Sequence, residues 1–235
     1  MAKKRAKRPQ RKLNVKILIV VVLIMAAIGS CFYWQVFSIN PRSGNFFAKN
    51  YYTAEDFNIK TLVSQTDRDG DGIDDYRALL LGAREYVETN PQYKSRYYQG
   101  GYPTDEYGVC TDVIWHAFKR AGYSLKDLVD DDIANNLSAY PNVDKPDPHI
   151  DFRRVKNLHV FFQRQATSLT LDLNKIEEWQ PGDIVIYANR DHIGIVSDRR
   201  NKKGQPYLIH HMGQLHKEED ALRMPTLVGH YRWQK

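Results

Sequence analysis

The sequence predicts an α+β domain, with N-terminal helices packed on a small antiparallel sheet and one transmembrane helix in front of them. Three observations carry this. Apolar residues recur at helical spacing in the middle of the chain, short β-branched runs between turn residues fill the last third, and an uncharged apolar run stands near the N-terminus.

In chain order, Met1 to Lys16 contains Lys3, Lys4, Arg5, Lys7, Arg8, Arg11, Lys12 and Lys16 and no acid. The net charge of +6 therefore belongs to a basic tail, because the rest of the chain sets 26 bases against 28 acids. No basic stripe is left for a folded surface, which argues against nucleic acid as a partner. Ile17 to Phe37 carries no charge and is long enough to span a bilayer as a helix. Phe32, Tyr33 and Trp34 suit a membrane interface, and the basic flank predicts a cytoplasmic N-terminus. The expectation is a single-pass protein of the cell membrane, held through this segment, with its C-terminal domain extracytoplasmic. A lipoprotein signal around Cys31 and a cleaved secretory signal stay open as alternatives. Residues 38–58 read as a linker and 59–235 as the folded domain.

In the stretch from Thr66 to Glu88, Asp67, Asp69 and Asp71 alternate, Gly72 follows, and Asp74 and Asp75 precede a helix expected from Tyr76 to Glu88. Leu79, Ala83 and Val87 set its apolar stripe. Alternating carboxylates with a glycine at the turn suit a calcium loop, since the ion gathers several oxygens at one point. Ala78 stands where an EF-hand would place its bidentate Glu, so the loop looks more like the shorter Asp-rich loops of dockerin or thrombospondin repeats, with Asp74 or Asp75 completing a structural calcium site. A solvated acidic turn capping the helix is the alternative.

A second helix is expected from Cys110 to about Ala121, with Val113, Ala117 and Ala121 on one side and Gly122 as its stop. Cys110 falls in the first turn, where free backbone N–H groups and the helix dipole favour a thiolate. The other cysteine, Cys31, lies in the apolar run, which leaves Cys110 a free thiol. Ser124 to Asn157 is polar and broken by prolines and reads as a long irregular excursion. Strands follow in Ile184 to Tyr187, DHIGIVSD, PYLIHHMG and TLVGHYRW.

A cysteine at a helix start followed by histidines on two later strands is the order a thiol hydrolase requires: a thiolate to attack, an imidazole to carry the proton, and a polar group to orient it. The motifs GVCTDVIW, WQPGDIVIY, DHIGIVSD and YLIHH resemble the NlpC-type cell-wall cysteine peptidases, a papain-like fold of peptidoglycan hydrolases. A closer resemblance spans about Gly82 to Trp233, where YGVCTDV, DPHIDFRRVKNL, PGDIV, HIGIVSD, IHH and GHYR are similar to a bacterial family known as domain of unknown function number 1287. The resemblance implies Cys110 as nucleophile, His192 as base and His210 as the orienting residue. His211 stands where that family would place an amide residue, so the His210-His211 doublet leaves the third role open between them.

Further candidates surround this set. Tyr107 would shape the oxyanion region, and Asp112 is either a site residue or a first-turn helix acid. Asp151, Arg153 and Arg154 form either a clamp for a substrate carboxylate or a structural ion network. His116, His230 and Tyr231 read as support. Zinc held by Cys110, His192 and His210 is an alternative chemistry without the usual accompanying ligand motif. The expected function is an extracytoplasmic cysteine hydrolase of amide bonds, with peptidoglycan stem peptides as substrate and no cofactor for catalysis. A non-catalytic envelope-binding or scaffold module and a thiol acyltransferase are the alternatives.

Overall fold

The computed structural model describes residues 51–188 and 191–234. The main helices are α1 (Asp75–Glu88), α2 (Cys110–Arg120), α3 (Leu125–Asn136) and α4 (Val155–Gln165). Two short strands, β1 (Gln92–Tyr93) and β2 (Tyr107–Gly108), pair in parallel between α1 and α2. The remaining strands are β3 (Thr167–Ser168), β4 (Ile184–Tyr187), β5 (His192–Arg200), β6 (Pro206–Ile209), β7 (Glu218–Glu219) and β8 (Leu227–Arg232). They form a six-stranded antiparallel sheet in the order β3-β8-β4-β5-β6-β7.

The sheet is buried on both faces. Ile184, Ile186, Ile193, Ile195 and Ile209 meet the helices in the larger core, while Val185, Tyr187, Val196 and Leu208 pack with Trp179 and Leu222 in a second one. Double burial is why IVIY and HIGIV read as continuous apolar runs instead of alternating with polar residues. On the helical side, α1 and α2 approach closely at Gly82, where a Cβ would strike His116 O and the Arg120 side chain. A larger residue there would push the two helices apart.

Several expectations are corrected here. The transmembrane helix, and with it the membrane partner and single-pass localisation, is withdrawn: among the described residues no helix is long and apolar enough to cross a membrane. The longest of the four main helices, α1, has 14 residues, about 21 Å against a hydrocarbon core of about 30 Å. Segment 17–37, on which the expectation rested, lies outside the described residues, as do the basic tail and most of the linker. The folded unit also starts before residue 59, since Tyr52 N and O bond to Arg200 O and N at 2.8 and 2.7 Å, joining the 51–58 segment to β5.

The supposed excursion from Ser124 to Asn157 contains α3 and the start of α4. Leu125, Val129 and Ile133 bury one face of α3 at i, i+4 and i+8, and the Ser124 hydroxyl accepts the Asp127 N–H at its start. The acidic run around them masked the stripe. Asp132 then joins α3 to α4, its buried carboxylate accepting from Tyr140, from Arg164 at 2.8 Å and from Gln165 at 2.7 Å.

Candidate active site

The site begins with the way α2 starts. Val109 is extended, and its N–H is taken by Asp112 Oδ2 at 2.7 Å, so the third helical residue reaches back over the first turn. Asp112 is fully buried and also accepts from Trp115 Nε1 at 2.8 Å and from Arg153 Nε and Nη2 at 2.8 and 2.9 Å. This two-pronged ion pair places a compensating cation beside a carboxylate with no access to water. The Thr111 hydroxyl donates to Arg153 O at 3.1 Å, clasping the 3₁₀ turn Asp151–Arg153 from the other side. Gly108 is required just upstream, because a Cβ would collide with the Tyr86 hydroxyl.

Asp112 therefore holds the helix start. Asp151 is equally occupied inside the fold, accepting from Asp147 N at 2.7 Å and Asn157 Nδ2 at 3.2 Å, while the Arg154 side chain is half exposed and lies 3.7 Å from it. Asp151 is thus held within the fold, while the Arg154 guanidinium stays open to solvent. Tyr107 turns its ring to cations, with Lys94 Nζ 4.9 Å and the Arg96 guanidinium 4.1 Å from its centroid.

Cys110 is a free thiol, 6% exposed. Its sulfur lies 4.0 Å from Asp191 O and receives the N–H of Ile193, so it sits against the backbone on both sides of His192. Burial pushes the thiol up to about 12; the Asp112 carboxylate adds to the rise, and the N–H groups of Ile193, Thr111 and Cys110 offset only part of it. The expected thiolate-favouring helix start is thus overridden by desolvation, and the resting group is a protonated thiol.

His192 and His210 come together as the sequence order implies. His192 Nε2 lies 2.8 Å from His210 Nδ1, with the rings crossed at 76°. His210 Nε2 in turn lies 3.2 Å from Glu219 Oε1 on β7 and 3.2 Å from the Gln214 amide nitrogen. Burial lowers His210 to about 3, with the charges of His192 and His211 acting in the same direction, so it carries one proton at neutral pH. A proton on His210 Nε2 directed at Glu219 makes Nδ1 an acceptor for His192 Nε2–H. In that arrangement the basic nitrogen of a neutral His192 is Nδ1.

The doublet divides just past the end of β6. His211, one residue on, is buried with its ring edge-on to Tyr93 at 5.2 Å, and burial and the Lys217 charge lower it to about 4. His116 is support, stacked between Tyr86 and Trp115 and lowered to about 4 by burial. His230 lies in the second core, its ring parallel to Trp179 at 3.8 Å and bonded to Thr170 O and Asp183.

Two residues escaped the sequence reading. Glu219 stands behind His210 only because β7 pairs with β6 in the register Leu208↔Glu219. Tyr93 is brought to the chain just ahead of Cys110 by the parallel pairing Tyr93↔Gly108 and the Lys94 N–H to Gly108 O bond of 3.1 Å; burial raises its phenol. Neither residue has a local motif.

Away from this site, Asp67, Asp69 and Asp71 each offer an oxygen within 4.8 Å of the others, all three exposed. Asp67 accepts from Gly70 N and Gly72 N at 2.8 and 2.9 Å, and Asp71 binds Arg120 at 2.6 Å, which lowers its carboxyl. Asp74 and Asp75 do not join them. Asp74 accepts from Ser64 N at 2.8 Å, and buried Asp75 from Thr66 Oγ1, Arg68 N and Tyr123 at 2.6, 2.9 and 2.7 Å.

Fold and site define an α+β domain in which a buried cysteine at a helix start faces the histidine-bearing strands of an antiparallel sheet. The chain belongs to the family described as domain of unknown function DUF1287, which matches residues 80–233. It is 37% identical over 166 residues to the uncharacterized protein YijF of Escherichia coli (strain K12), covering 66% of this chain and 80% of that relative. No solved structure matches.

Proposed function

We propose that this protein is a cysteine hydrolase of amide bonds, with the peptide stems of peptidoglycan as its substrate class. The observation that carries the reading is the 2.8 Å contact between His192, at the start of β5, and His210, with the Asp191 carbonyl just before β5 lying 4.0 Å from the Cys110 sulfur. In this mechanism His192 Nδ1 takes the thiol proton as sulfur attacks the carbonyl carbon, and returns it to the departing amine. Water then adds to the acyl-sulfur carbon, with His192 again taking the proton, and the acid leaves as the S–C bond breaks. His210, oriented by Glu219, keeps the imidazole turned and its tautomer fixed. The Val109 N–H is committed to Asp112, so the Cys110 and Thr111 N–H groups at the start of the helix would serve the developing oxyanion. A thiol raised to about 12 suits proton transfer during attack, without a standing thiolate.

The test is mass spectrometry of fragments released from purified cell wall, with Cys110→Ser as control. Loss of release in that variant is expected; equal release by both proteins would overturn the assignment. A second reading, a wall-binding module without chemistry, draws on the burial of the thiol, and it gains if Cys110 resists alkylation in the folded protein while wall binding persists.

The acidic loop adds a metal proposal. Asp67, Asp69 and Asp71 provide only hard oxygen donors, which suits calcium, and the ion would hold the loop ahead of α1 without entering the chemistry. The Arg120 guanidinium on Asp71 is its competitor.

A further inference from the structure

Residues 91–108 contain five tyrosines, at 93, 97, 98, 102 and 107, and no Val, Leu, Ile, Met, Phe or Trp. The parallel pairing of β1 with β2 closes this segment at its neck, so both of its ends lie at the corner that leads into Cys110. Three of the rings face solvent: Tyr93 is 50% exposed, Tyr97 56% and Tyr102 37%.

These exposed rings are nevertheless fixed. The Tyr97 hydroxyl meets both carboxylate oxygens of Asp147 at 3.2 Å, and the ring lies edge-on to His149. His149 is itself held by Gln99 Nε2 and Gly100 N at 3.0 Å each. Tyr102 leans on Trp115 and Phe152 at 4.9 and 5.2 Å between centroids. Beneath them, Tyr98 bonds to Asp105 at 2.8 Å and carries the Arg153 guanidinium 5.2 Å above its ring. Arg153 is the group that clamps Asp112, so the loop and the nucleophile helix rest on one ion pair.

Rings held in place lose little freedom on binding a ligand. The segment offers rings, amides and hydroxyls and no aliphatic side chain. Flat rings with polar tips, laced with Lys94 and Gln99, match a ligand made of sugar rings, with apolar C–H faces and hydroxyl or acetamido groups at their edges.

We propose that the 93–107 loop binds the amino-sugar backbone of the wall polymer and so presents the attached peptide to Cys110, an inference that rests on the cell-wall reading. The experiment uses full-chain Cys110→Ala protein and the N-acetylglucosamine tetramer as probe, read by calorimetry. Saturable binding is expected, weakened at least tenfold in the Tyr97→Ala/Tyr102→Ala double variant and retained in Tyr97→Trp, with circular dichroism melts as the folding control. Absence of tetramer binding, equal binding by the double variant, or full displacement of the tetramer by sugar-free stem peptide would each overturn the proposal. The probe has no peptide bond and the protein lacks the Cys110 thiol, so the outcome is independent of hydrolysis: a protein that binds the tetramer and never cleaves wall loses only the hydrolase assignment.

Discussion

Arg153→Ala tests whether the start of the Cys110 helix depends on its buried ion pair. The wild-type guanidinium makes two bonds to a carboxylate that has no solvent access. Removing one partner of such a pair costs about 3–5 kcal/mol, because the remaining charge cannot rehydrate. At about 2–4 °C per kcal/mol for a domain of this size, the melting temperature should fall by roughly 6–20 °C. Urea unfolding followed by circular dichroism gives the free energy directly. The double variant Asp112→Leu/Arg153→Met should recover part of the loss, since it removes both charges together. Recovery should stay incomplete, because the Val109 N–H and Trp115 Nε1–H lose their acceptor, on the order of 1–3 kcal/mol for each orphaned donor. An Arg153→Ala protein within about 1 kcal/mol of wild type would refute the reasoning, since it would mean that Asp112 finds water or another cation.

Three further outcomes are expected. His210 is lowered to about 3 and His116 and His211 to about 4, below the unfolded value near 6.5, so the stability these neutral rings contribute is present above about pH 6.5 and is lost as pH falls toward 4; a urea midpoint unchanged between pH 7.5 and 5 would contradict this. His210→Ala should lower kcat on cell-wall substrate by about 10²–10⁴-fold, whereas His211→Ala should change it by less than about tenfold, a split read from steady-state kinetics. Calcium should raise the melting temperature, chelation should reverse the rise, and Arg120→Ala should tighten calcium binding in calorimetry by freeing Asp71; no response in either protein would remove calcium from the loop.

Much of the scaffold was legible because its signals are local. α1 and α2 follow from apolar spacing, and the strands from short runs between turn residues, so their observed bounds lie close to those expected. α3 was missed for a local reason as well, since three apolar residues per turn-set are hard to see within LKDLVDDDIANN. The Cys110, His192 and His210 order was also readable, but order alone could not choose between the adjacent His210 and His211. In the structure His210, just past the end of β6, is the one of the two that contacts His192.

By itself the sequence determined the types of element, the position of the thiol at a helix start, and the family signature from about Gly82 to Trp233. These depend on neighbours a few residues apart, and the code for them is periodic. Only the tertiary structure decided that Asp112 and Arg153 serve the fold, that Asp74 and Asp75 turn away from the acidic loop, and that Glu219 stands behind His210. It also reversed the charge expected at Cys110, because helix-dipole stabilisation is a local effect, whereas the desolvation that outweighs it comes from the packing of distant segments around the sulfur.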